Sequence, residues 1–167
     1  MTAYDPQSWQ GFYVMVGGAA AALTGLLFVA MSLHAKTITQ HPFFGARATG
    51  TLMSLTAQLL IAAAVLVPGL PLVLLGVAVE ATAIFFLVTT VTAVLRIEPS
   101  SRPASRTRLR TVAEITGGTT WLVLFIASGI SLLAHAGGGF YILAAVMAFM
   151  FAWNIYLAWT LITEISE

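Results

Sequence analysis

The stretch GFYVMVGGAAAALTGLLFVAMSL, residues 11–33, contains no charged side chain. A helix needs roughly 20 mainly apolar residues to cross a membrane, because each adds about 1.5 Å of rise across about 30 Å of hydrocarbon. Residues 11–33 satisfy that alone. Four more runs of the same kind follow, at 48–67, 72–95, 112–134 and 140–162, with Glu80 interrupting the third. Between the second and third, Pro68, Gly69 and Pro71 stop one helix and start the next. Residues 96–110 hold prolines, serines and arginines and read as a loop, and 135–139 read as a glycine-rich turn. The expected fold is therefore all-α: one membrane-embedded bundle of five transmembrane helices filling residues 1–167.

Composition points the same way. Of 167 residues, 59% are hydrophobic and 8% charged, whereas a soluble domain is about 45–50% apolar and about 25% charged. Too little polar surface remains to face water. A net charge of +1 is too small for a nucleic-acid partner. Without cysteine there is no disulfide, thiolate metal site or thiol chemistry. The N-terminus lacks a positive n-region and carries Asp5, so it does not read as a cleavable signal.

Charge sets the expected orientation. Lys36 and Arg47 lie between the first two helices; Arg96, Arg102, Arg106, Arg108 and Arg110 lie between the third and fourth. With five spans, all seven basic residues share one side. The positive-inside rule makes that side the cytoplasm, with the N-terminus outside and the C-terminus inside. Tyr4, Trp9, Phe12 and Tyr13 at the outer end, and Trp159 towards the inner end, suit interfacial belts.

Few residues are candidates for a site. Glu80 lies eight positions into the third helix, where an acid costs roughly 2.5–3.5 kcal/mol on insertion scales and ordinarily faces the bundle interior. The turn at Gly69 sets Gln58 opposite it, so a Gln58–Glu80 hydrogen bond is expected, with Thr82 nearby. This pair reads either as an ion- or proton-responsive site or as a structural bond fixing the hairpin. Asn154 shares a level with Thr24, Ser54, Thr119 and Thr120, which reads as interhelical bonding because no helix offers a continuous polar stripe. Gly17, Ala21 and Gly25 form a small-residue seam for packing, either within the chain or between subunits. The five loop arginines are candidates for anionic lipid headgroups. Thr111 and Glu114 have capping-box spacing. His34, His41 and His135 split between two sides of the membrane and do not make a metal or haem site, so no cofactor is expected.

Residues 9–33, opening on Trp9-Gln10-Gly11-Phe12-Tyr13 and continuing Gly17-Gly18-Ala19-Ala20, resemble small bacterial integral membrane proteins of no assigned activity. The resemblance implies a bacterial inner membrane and brings no catalytic or ligand residues. The reading is a non-enzymatic accessory, assembly or regulatory subunit that self-associates or joins a larger membrane complex. The alternative is an oligomeric ion or proton channel, or small transporter, using Glu80 and Gln58. An intramembrane enzyme ranks third, since acid–base chemistry normally needs a second positioned group.

Overall fold

A computed structural model describes residues 2–96 and 108–166, with the side chains of 3–89, 91–92 and 116–165. Two 3-10 turns, Thr2–Tyr4 and Pro6–Trp9, lead into α1 (Gln10–Leu33). A short α2 (Ala35–Gln40) precedes α3 (Pro42–Leu66), and α4 (Leu72–Arg96), α5 (Arg108–Ala134) and α6 (Gly139–Ser166) complete the described chain. There is no strand among the described residues. Among the described residues five helices are long and apolar enough to cross a membrane: Pro6–Leu33, Pro42–Leu66, Leu72–Thr89, Thr116–Ala134 and Gly139–Ile165.

Local chemistry sets the ends of these helices. The Ser8 hydroxyl and the Gln7 backbone N–H donate to Asp5, at 2.6 and 3.1 Å, capping the turn at Pro6. Those bonds hold the Asp5 carboxyl below the usual carboxylate range. His34, at φ −112° and ψ 20°, breaks α1 from α2. Pro42 opens α3 at its first position, where the missing N–H leaves no helical bond unmade. The second span thus begins six residues before the position expected from sequence. The residues 42–47 are less apolar than a span requires, but nothing in them breaks a helix. Likewise α5 starts at Arg108, which puts Thr111 inside the helix rather than at its cap. Gly69 (φ 72°) turns the chain between α3 and α4. His135, Gly137, Gly138 and Gly139 all take positive φ between α5 and α6.

The helices pack as antiparallel neighbours, and the contacts fix their register. Against α3, α1 sets Gly17 so close to Ala62 that a Cβ on the glycine would lie 3.0 Å from the alanine's. Between α4 and α5, Gly76 faces Leu133, and Phe86 meets Trp121 edge-on at 5.3 Å. Gly117 of α5 receives the Trp153 ring of α6. The largest core cluster gathers Tyr13, Ile61, Val79, Phe125, Phe140 and Met147. A smaller one, with Ile38, Phe43, Phe44, Ala48 and Leu161, closes the end that carries α2. We call that end the loop end, and the end carrying the tight turns at 67–71 and 135–138 the turn end.

The aromatic residues of the turn end divide. Tyr13, expected at an interface, is fully buried and meets Phe140 edge-on at 5.9 Å. Trp9 stacks on Phe140 and crosses Tyr141 edge-on at 4.8 Å. Trp159 does stand outward, 68% exposed.

Candidate functional site

The expected Gln58–Glu80 hydrogen bond is not formed. The Glu80 carboxylate lies against α5, so close to Gly129 that a side chain there would collide with Oε1. Its Oε1 is buried and has no hydrogen-bond partner among the described residues. The Gln58 side chain is wholly buried, and neither its Oε1 nor its Nε2 has a partner. The pairing expected from sequence assumed that α3 and α4, joined by a short turn, close on each other along their length. Instead a groove of about 530 Å³ opens between them, lined by Thr56, Ala57, Leu60, Thr82, Phe85 and Phe86 among others. Thr82 lines it but donates its hydroxyl to the Ala78 carbonyl of its own helix, at 2.7 Å.

Of the four residues expected at its level, Asn154 bonds to Ser54. Its Nδ2 donates to Ser54 Oγ at 2.9 Å, joining α6 to α3, while its Oδ1 is buried with no partner. Thr24 bonds instead to the Ala20 carbonyl, and Thr119 and Thr120 to the Thr116 carbonyl, each within its own helix. Within that layer, Asn154 and Ser54 make a contact between helices.

That contact belongs to a feature that sequence reading missed. Arg47, Thr51, Ser54 and Gln58 follow one another at spacings of four, three and four, which is one face of a helix. Thr51, Ser54 and Gln58 are all buried. At the loop end, Arg47 donates to Glu164 Oε2 and to Thr160 Oγ1, both at 2.7 Å, and its guanidinium lies 5.8 Å from the Phe43 ring. The α3 stripe and its α6 partners Asn154, Thr160 and Glu164 form a polar column inside the bundle. It reaches from the Arg47–Glu164 ion pair up to Gln58. The signal was present in the spacing. A helix starting at residue 48 hides it, because Arg47 then falls in the loop.

The small-residue seam divides. Gly17 is buried against α3, whereas Ala21 and Gly25 are exposed. Gly11, Gly18 and Gly25, at seven-residue spacing, have no neighbouring atom within 4 Å of the position their Cβ would take. Arg102 and Arg106 lie outside the described residues, as do the side chains of Arg96, Arg108 and Arg110. The helices that end at Arg96 and begin at Arg108 both do so at the loop end. Among the described residues no three His, Cys, Asp or Glu gather in a metal-binding group.

The fold and the column describe a multi-pass helical bundle of membrane-protein type. No family model, curated protein or solved structure matches the chain.

Proposed function

We propose that this protein is a non-enzymatic subunit of the cell inner membrane that works by helix–helix association, with itself or within a larger membrane complex. The observation that carries the reading is the outer face of α1. Only 22% of its most apolar window is buried inside the chain, the lowest share of the five spans. On its open side Gly11, Gly18 and Gly25 leave the backbone bare. Close backbone approach at small residues is what drives helix pairing where lipid removes the hydrophobic incentive. A helix so little covered, with glycines one above another between outward Val14, Met15, Phe28 and Val29, is suited to a second helix. In this reading the N-terminus is outside and the C-terminus cytoplasmic, as the basic residues dictate. The loop arginines Arg96, Arg102, Arg106, Arg108 and Arg110 then face anionic headgroups, at about 1 kcal/mol per basic residue.

The test is oligomeric state and co-purifying partners in mild detergent, compared with Gly18→Leu and Gly25→Leu. Both positions have open space, so the subunit should still fold while the assembly loses mass. An assembly of unchanged size in both variants ends this reading.

The second reading is a conducting oligomer. It rests on Glu80, whose buried Oε1 has no hydrogen-bond partner, since an intramembrane acid ordinarily marks an ion or proton path. Flux into proteoliposomes that is lost on Glu80→Gln, with assembly intact, would favour it; equal flux from both forms would remove it.

A further inference from the structure

We propose that the α3–α6 column is a water-binding inlet that reaches from the loop end to Gln58 at mid-membrane and is closed at its mouth by the Arg47–Glu164 ion pair. The proposal stands apart from the association reading, because it concerns the interior of the subunit.

The argument begins with Gln58. Its side chain is 0% exposed and both polar atoms lack a protein partner. Burying an unsatisfied amide costs several kcal/mol in hydrocarbon, so in native proteins such groups pair with protein or with water. One turn below, Asn154 is 1% exposed, with Nδ2 engaged by Ser54 and Oδ1 unengaged. Two carbonyl oxygens and one N–H₂ group thus ask for an occupant that both donates and accepts. Water does both.

Spacing sets the number of waters: polar levels one helical turn apart stand about 5.4 Å apart along the axis, a separation that one water bridges with two hydrogen bonds of about 2.8 Å. A water between the Gln58 and Ser54–Asn154 levels, and another towards Thr51, would continue the column to Arg47. The donor set also argues against a bare cation. Above the ion pair the column offers only amides and hydroxyls, and no carboxylate balances a charge there. From Arg47 to Gln58 is eleven residues, or roughly 16 Å, about half the hydrocarbon thickness. No such stripe continues past Gln58 on α3, where Ile61, Ala62 and Val65 close the core. The inlet therefore opens to one side only.

The chain's lack of cysteine makes the test direct. Single variants Ser54→Cys, Thr51→Cys and Leu59→Cys are placed in proteoliposomes and exposed to Ag⁺, an ion small enough to follow water. Unreacted thiol is then counted by maleimide labelling after denaturation. Leu59 faces outward at nearly the depth of Gln58 and is the lipid control. Ser54→Cys and Thr51→Cys should react about ten-fold faster than Leu59→Cys or more, because a thiol ionises in water and not in hydrocarbon. Adding Gln58→Leu, which removes the partners that hold the water, should slow Ser54→Cys towards the control. Adding Arg47→Ala should speed both column positions by unlatching the mouth. The proposal is overturned if both column cysteines react no faster than Leu59→Cys, or if Gln58→Leu leaves the Ser54→Cys rate unchanged. Thr51→Cys decides the matter alone if Ser54→Cys fails to assemble.

Discussion

The Glu80 carboxylate occupies the space that a side chain on Gly129 would need, locking α4 to α5 at one register. The contact shows how the acid is placed: a glycine lets the opposing helix come close beside the carboxyl group. Gly129→Ala should therefore force α4 and α5 apart or turn Glu80 outward. Overpacking of this kind costs about 1–3 kcal/mol. A double-mutant cycle in detergent unfolding checks the cause. Combined with Glu80→Ala, the Gly129→Ala penalty should shrink, since the clashing atoms are gone. Simple additivity of the two changes would mean that the contact does not fix the helix pair.

Much of this architecture was legible before any coordinate. Residues 11–33, 48–67, 72–95, 112–134 and 140–162 each carried the length and apolarity of a span, and five such helices are present. The Asn154–Ser54 contact was legible too, because both residues lie at one depth. What could not be read was rotation about each helix axis. Depth alone matches Gln58 with Glu80, but Gln58 lies one turn from Ser54, on the α3 face that meets α6, and Glu80 faces α5. A short turn fixes how high two residues stand and leaves free which way they point. The same gap concealed the groove between α3 and α4 and split the α1 seam, with Gly17 inside and Gly25 outside.

Gly17 provides a contrast to the outward glycines. A Cβ there would lie 3.0 Å from the Ala62 Cβ, within the buried α1–α3 contact. Gly17→Leu should lower subunit stability by about 1–3 kcal/mol or more, measured by unfolding in detergent. Gly11→Leu, which meets nothing within 4 Å, should leave it within about 0.5 kcal/mol, as surface changes usually do. Equal losses in the two would contradict the assignment of inner and outer faces.

Arg47 and Glu164 tie the start of α3 to the end of α6 with side chains only 12% and 5% exposed. Removing one partner of a buried pair leaves the other uncompensated, at about 3–5 kcal/mol. Both ends lie towards the boundary of the bundle, so the lower figure or less is expected of Arg47→Ala. Thr160→Val deletes the second acceptor together with the hydroxyl's own bond to the Leu157 carbonyl of its helix, and about 1 kcal/mol is expected there. The ordering is the prediction: unfolding should rank Arg47→Ala as the more damaging. Proteolysis near the C-terminus should increase in that variant first, as α6 loses its anchor.

Asp5 links the start of the chain to pH. Its carboxyl is held below the ordinary carboxylate range by the Ser8 hydroxyl and the Gln7 N–H. A depressed folded value means that the cap contributes above the unfolded carboxylate range. Its contribution is lost as pH falls through the folded value. Protection of the Gln7 and Ser8 amides, measured against their intrinsic exchange rates at each pH, should fall on that acid limb, and Asp5→Asn should flatten the dependence. Protection that is indifferent to acid in the unaltered protein would remove the cap from the account.

The N-terminal segment also clamps the far turn. The Gly138 N–H donates to Tyr4 Oη at 2.9 Å, and the Tyr4 ring stacks on His135 at 5.7 Å. A Cβ on Gly139 would strike the same ring at 2.6 Å, and Gly139 has φ of 32° besides. Tyr4→Phe should remove the hydrogen bond alone, about 1 kcal/mol, and leave the stacking. Tyr4→Ala should remove both and free the α5–α6 turn, seen as faster protease cleavage at residues 135–138. Gly139→Ala should free the same turn from the other side and cost more than Tyr4→Ala, because both the ring and the Ala3 carbonyl must give way. The double variant should then be no worse than the worse single one. Strictly additive cleavage rates would show that ring and turn do not act as one clamp.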